Sequence, residues 1–186
     1  MKTALLIVDA QNDYFPKGKN ELVGSIDAGS RIKDLLEGFR NKQLCVIYIQ
    51  HISMNEGALF FMPDTYGVQI NENVKPLPGE VIIKKHTPNS FKNTELLDTL
   101  KVKGIDQLVI CGMMTHMCID STARAAFEFG YRCIVAQDAC ATKNLILNDR
   151  AIPAEFVQAS FMAALNGTFV KVLSTEQVLR HIESEI

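Results

Sequence analysis

The chain has no apolar run approaching the roughly 18 residues that a membrane-spanning helix requires, so a helical membrane protein is excluded. It also has almost no charge surplus: 19 Lys and Arg stand against 21 Asp and Glu, giving −2 over 186 residues. Nor is there a Lys/Arg run with interleaved aromatics, so nothing would draw it to a phosphate backbone, and nucleic acid is not expected as a partner. Its five cysteines are an odd number without a CxxC pair or regular spacing, which argues against both a disulfide framework and a structural zinc site and fits a reducing cytoplasm. Glycine-rich nucleotide signatures (GxGxxG, P-loop) and the GxSxG serine elbow are absent as well. Finding no repeat, linker or low-complexity tract, we read residues 1–186 as one domain.

What is present is a rhythm. Apolar, Val/Ile-rich runs at Ala4–Val8, Leu44–Ile49, Val81–Ile83, Gln107–Cys111, Cys133–Ala136 and Phe169–Leu173 read as strands buried on both faces. The first of these ends in Asp9 after about five residues, too short for a signal sequence. Helical stripes lie between them: Ile32, Leu35, Leu36 and Phe39; Leu96, Leu97 and Leu100; a helix from about Met117 to Phe129; and another from Pro153 to Leu165. A last helix opens with the capping-box pattern Ser174-Thr175-Glu176-Gln177, and Asn166-Gly167 reads as a turn ending the helix before it. Strands alternating with helices of this length imply parallel pairing, hence a three-layer α/β/α sandwich with a mostly parallel, roughly six-stranded sheet. The stretch from His51 to Gly79 breaks the rhythm. Its Met54, Phe60, Phe61, Met62, Pro63 and Tyr66 suit an apolar lid, a subunit contact or an irregular excursion packed on the core.

In an open α/β sheet, ligands bind beyond the carboxyl ends of the strands. Asp9 ends the first strand, Lys85 the third, and Cys118 follows the fourth, so three reactive side chains share one edge. Taken singly, each has a plain structural role: Asp as turn former, Lys as solvated strand end, Cys as core filling. Alternation sends Lys84 and Lys85 to opposite faces, so only one can enter the crevice. Cys45, Cys111, Cys133 and Cys140 sit among apolar neighbours as core residues, whereas Cys118 falls at a helix N-terminus, where the dipole is expected to lower its thiol pKa.

Together these residues resemble the isochorismatase-like cysteine hydrolases. Asp9-Ala10-Gln11-Asn12-Asp13-Tyr14-Phe15 is similar to the family's Asp-x-Gln-Asn-Asp-Phe opening. Lys85 through Thr94 resembles its lysine motif, in which the Lys stands six residues before a Phe, and this spacing selects Lys85 over Lys84. Gly112 through Arg124 resembles the nucleophile motif Gly-x-x-Thr-x-x-Cys-Val-x-x-Thr-Ala, and Asp138-Ala139-Cys140-Ala141 matches a further segment, after the fifth strand, with a structural role. The resemblance implies a small-molecule amidase with Asp9 as acid/base, Cys118 as nucleophile and Lys85 in support. It also implies a cis peptide at Met113-Met114, an oxyanion hole made by the backbone N–H groups of Met114 and Cys118, and a homodimer or homotetramer.

The family's nicotinamidases carry an Asp-x-His metal pair that this chain lacks, having Gln50-His51 instead, so neither a metal nor any other cofactor is expected. Its motifs look closest to the streptothricin hydrolase-like subgroup, which opens cyclic amides. Phe15, His51, Asn89, Phe91 and His116 are the candidates for pocket lining, with core packing as the alternative for the aromatics. Other readings are a nicotinamidase or another family hydrolase, a Cys-His dyad using His116 or His86, and a non-catalytic binding or scaffold member of the fold. His116 lies two residues from Cys118 at a turn, which directs their side chains apart.

Overall fold

The computed structural model describes residues 1–184. Strand β1 (Thr3–Val8) is buried at every position. With β2 (Cys45–His51), β3 (Val81–Lys85), β4 (Gln107–Met113), β5 (Arg132–Ala141) and a short strand at Lys171–Leu173, it forms a six-stranded sheet in which every pairing is parallel. Between β5 and that last strand runs a separate antiparallel hairpin, β6 (Leu145–Leu147) and β7 (Arg150–Ile152), so the sheet strand at Lys171–Leu173 is β8. The sheet order is β3-β2-β1-β4-β5-β8.

Successive residues of β1 point to opposite faces and so serve two cores. Leu5 and Ile7 meet α1 (Ser25–Asn41) through Ile32, Leu35, Leu36 and Phe39. Ala4, Leu6 and Val8 belong to the other core, with α2 (Leu96–Val102), α3 (Asp120–Glu128) and α4 (Ala154–Leu165). The terminal α5 (Thr175–Ser184) joins α1 on the first face through Val178 and Ile182. Its capping box forms in full: Ser174 N–H donates to Gln177 Oε1 at 2.8 Å and Gln177 N–H to Ser174 Oγ at 3.2 Å. Among the described residues no helix is long and apolar enough to cross a membrane.

Three local expectations are corrected. First, β5 continues to Ala141 instead of ending at Ala136, because its pairing with β4 shifts register between Ile110 and Gly112 and then resumes, so Asp138-Ala139-Cys140-Ala141 lies within the strand. Asp138 Oδ1 accepts from the backbone N–H of Thr175 at 2.7 Å and its hydroxyl at 2.9 Å, tying β5 to the start of α5. Second, the helix expected from Met117 begins with a wide turn over Thr115–Ile119, in which Ile119 N–H reaches back to Met114 O, and regular α-helix starts only at Asp120. Third, the hairpin was not anticipated. Its turn is Asn148-Asp149, both at positive φ, and its strands are too short to show alternation.

The segment after β2 is an irregular excursion with one 3-10 turn at Glu72–Val74. It is stitched to the β1–α1 connection: the Gln11 amide donates to Val68 O at 2.7 Å and His51 O at 2.9 Å, and Asn12 Nδ2 donates to Tyr66 O at 3.0 Å. Asp13 is the second anchor, its carboxylate accepting from Phe61 N–H at 2.6 Å and Lys19 N–H at 3.1 Å. Phe61 is thereby fully buried, while Met54, Leu59 and Tyr66 remain exposed.

Candidate active site

The order β3-β2-β1-β4 makes the junction of β1 and β4 the point where the chain, having wound outward in one direction, returns to wind in the other, and the crevice there opens at the carboxyl ends of both strands. Gly112, the penultimate residue of β4, has φ +121°, and a Cβ there would stand 1.9 Å from Val8 O. Only glycine lets the two backbones approach this closely. The peptide that follows, Met113–Met114, is cis, as the resemblance implied.

Asp9 is the first residue beyond β1. It is held at φ +50°, a left-handed conformation that Asp tolerates better than most residues, by its N–H donating to Ile49 O (3.0 Å) and its carbonyl accepting from Gln11 N–H (2.8 Å). Lys85 closes β3 with its side chain turned inward and 0% exposed, while Lys84 beside it faces solvent. The Lys85 ammonium lies 2.7 Å from Asp9 Oδ2, 3.4 Å from His51 Nδ1, and donates to Thr87 O (3.1 Å) and Pro88 O (3.2 Å). Cys118, 3% exposed, sits in the wide turn after β4 and brings its sulfur to the same point, so that Asp9, His51 and Cys118 offer ligand-type atoms within 4.8 Å of one another.

Burial disfavours the Asp9 charge, but Lys85, then His51, together with the Cys118 thiol, outweigh it and hold the carboxyl below its ordinary range. Lys85 is likewise desolvated, yet Asp9 and Cys118 keep its pKa raised. Cys118 goes the other way from the expectation drawn from its helix terminus. Burial, followed by the neighbouring Asp9 carboxylate, pushes its pKa far up against the pull of Lys85. The resting centre is therefore a neutral thiol beside an ionised carboxylate and an ammonium. Neither Asp9 oxygen has an aligned hydrogen-bond donor, and the contact with Lys85 is a close ion pair, so the carboxylate retains lone pairs able to accept a proton.

Asp9, His51 and Cys118 are also the one group among the described residues whose spacing could hold a metal ion. The donor set does not fit a divalent cation, because Lys85 already places a positive charge within 2.7 Å of Asp9 and 3.4 Å of His51.

Cys118 forms part of the floor of a cleft of about 440 Å³, large enough for a small organic ligand. Tyr14, His51, Phe60, Pro88 and Met114 are among its walls, and residues 55–59 of the excursion form its rim. Hollows of about 450 and 500 Å³ at the opposite, amino-terminal edge of the sheet contain Arg132 and Tyr131, but their only thiol is Cys133, whose pKa burial pushes up to about 12.

Of the five candidate lining residues, His51 alone faces this cleft. Phe15 is buried in the first core against Gly29, and Phe91 in the second core, beside Phe129 and Tyr131. Asn89 spends its side-chain Oδ1 accepting from Phe91 N–H at 2.9 Å, shaping the loop after Lys85. His116 turns toward β5, with Nδ1 2.6 Å from Thr142 Oγ1 and its ring against Phe161, which leaves a dyad of His116 with Cys118 without geometry, while His86 lines the cleft with its Nδ1 2.8 Å from Ile52 O. Tyr14, missed at the pocket, was hidden inside a motif read for its polar residues.

Residues 3–177 match the isochorismatase domain. The chain is 51% identical to the uncharacterised isochorismatase-family protein YddQ of Bacillus subtilis strain 168, over 97% of this chain and 100% of that protein. It is 32% identical to a streptothricin hydrolase of Streptomyces noursei, over 76% of this chain and 50% of that protein. In structure it is similar to a cysteine hydrolase from Pseudomonas syringae pv. phaseolicola 1448A, with a TM-score of 0.93 at 27% identity, covering 100% of this chain and 94% of the other.

Proposed function

The chain belongs to the isochorismatase family of hydrolases, and from that premise we propose that it cleaves the C–N bond of a small amide, cyclic amides included, through a thioester on Cys118. The observation that carries this reading is a buried neutral thiol beside a carboxylate that a buried lysine keeps ionised. Asp9 accepts the thiol proton as sulfur attacks the carbonyl carbon, so no free thiolate need accumulate. The oxyanion that forms is stabilised by the backbone N–H groups of Met114 and Cys118. Collapse breaks the C–N bond, and the amine leaves with the proton held by Asp9. Asp9 then takes a proton from water as the resulting hydroxide adds to the thioester, and returns it to the departing sulfur. Lys85 stays charged throughout, orienting Asp9 and offsetting its charge. Intact-mass measurement with a slowly hydrolysed amide should show an acyl adduct that peptide mapping puts on Cys118, with one equivalent of ammonia or amine released. Turnover with the adduct on another residue would refute the scheme.

The acid limb of kcat/KM follows from Asp9. Its folded-state pKa is depressed below 3.8, so the ionised form that catalysis needs persists as pH falls to that value and is lost only beneath it. Lys85 is raised above 10.5, so its charge survives until pH climbs past that value. The same signs govern stability. The Asp9 contribution disappears as pH falls through its depressed pKa, and the Lys85 contribution as pH rises through its elevated one. A pH–rate profile should therefore show no loss attributable to Asp9 between pH 7 and pH 5, and an Asp9 titration inside that interval would contradict the assignment.

A further inference from the structure

The ring of Tyr14 is fixed by its neighbours, 4.6 Å from Phe61 and 5.8 Å from Phe60 between centroids, and the residue is only 1% exposed. Its backbone is held as well, Tyr14 N–H donating to Gln11 O and its carbonyl accepting from Leu22 N–H, both at 3.0 Å. The hydroxyl at the end of this fixed ring hydrogen-bonds to no group among the described residues. It is not sealed in either: among the described residues the only fully enclosed side-chain polar atoms without a hydrogen-bond partner are the two Asp9 oxygens, and Tyr14 lines the cleft together with Cys118. Burial, followed by the nearby acidic groups Cys118, Asp9 and Asp13, keeps its pKa well up, so at neutral pH it is a proton donor and not a phenolate. The motif that Asp9 opens ends in Phe in the related pattern, whereas this chain puts a hydroxyl there.

A hydrogen-bond donor in a desolvated wall, with no protein acceptor, is stabilised when a ligand supplies one. In the proposed reaction the oxyanion is taken by backbone amides and the leaving nitrogen by Asp9, which leaves the substituent on the acyl side for this hydroxyl. A neutral acceptor suits the place better than a carboxylate, because Asp9 is already ionised nearby. Resting on the amidase reading above, we propose that Tyr14 is a specificity-determining residue whose hydroxyl donates to a second neutral oxygen of the substrate, selecting amides and imides that carry another carbonyl close to the scissile one.

The test compares two pairs of probes, acetoacetamide against butanamide and succinimide against pyrrolidin-2-one, each differing by one carbonyl, in wild type and Tyr14→Phe. Intrinsic reactivity cancels when the ratio within a pair is compared between the two proteins. Tyr14→Phe keeps the ring and should melt within a degree or two of wild type. It should lower kcat/KM for the dicarbonyl member by roughly 10- to 100-fold and for the monocarbonyl member by less than about threefold. Equal losses on both members, or none on either, overturn the proposal. So does a changed pH dependence of Cys118 alkylation in Tyr14→Phe, which would place the hydroxyl on the thiol instead. If wild type gives neither turnover nor a Cys118 adduct with any of the four, the amidase reading itself fails and the proposal falls with it. Turnover with an unchanged ratio fails the proposal alone.

Discussion

Cys118→Ala is expected to lower amide turnover by about 10⁴- to 10⁶-fold, the range seen when a nucleophile is removed from a concerted catalytic group. Its melting temperature should move little. The side chain is small, and its loss leaves the Asp9–Lys85 pair intact and a void of about one sulfur atom, a cost of about 1 kcal/mol. Cys111, Cys133 and Cys140 are the internal controls: all are buried, and burial raises the pKa of each. None of them approaches Asp9 and Lys85 as Cys118 does, so alanine at any of the three should alter stability more than rate. Turnover by Cys118→Ala within tenfold of wild type would remove the nucleophile assignment.

Lys85→Met should be damaging twice over. Asp9 and Lys85 are each 0% exposed, and removing the ammonium leaves the carboxylate buried with its nearest countercharge gone. Breaking a buried pair in this way destabilises by about 3–5 kcal/mol, which at this chain length is a fall in Tm of roughly 6–20 °C. Asp9→Asn combined with Lys85→Met removes both charges. It should recover most of that loss in urea denaturation, because two neutral side chains of similar size replace the pair, yet it should remain inactive for want of a base. If the double variant is no more stable than Lys85→Met, the lysine acts through packing rather than charge. If it is active, the base lies elsewhere.

Much of the architecture was legible because continuous Val/Ile runs have few ways to be satisfied other than a sheet covered on both faces. The edge where Asp9, Lys85 and Cys118 meet was legible for the same reason: it follows from where apolar runs stop, and alternation within β3 separates Lys85 from Lys84. What could not be read was direction at residues outside regular elements. Phe15 and Phe91 are as aromatic as Tyr14 and Phe60, but only the folded backbone determines which of them faces a cleft and which a core. The strand character of Asp138-Ala139-Cys140-Ala141 was masked by Gln137 and Asp138, polar residues that interrupt the apolar pattern at the irregularity in β5. The Cys118 electrostatics depended on burial and on Asp9, from a distant part of the chain, and these outweigh a helix-end effect that local sequence makes visible.

The place of β1 in the sheet also bears on how the chain is made. One of its neighbours is β4, and Thr3 pairs with Gln107 across a separation of 104 residues. At a synthesis rate of about 5–20 residues per second, the ribosome needs roughly 5–20 s after β1 emerges before that neighbour exists. Through this interval β1 has at most one edge paired and one face covered by α1. An apolar strand thus waits about a hundred residues for its second edge, and during that wait the strand that leads into Asp9 is open to co-translational aggregation.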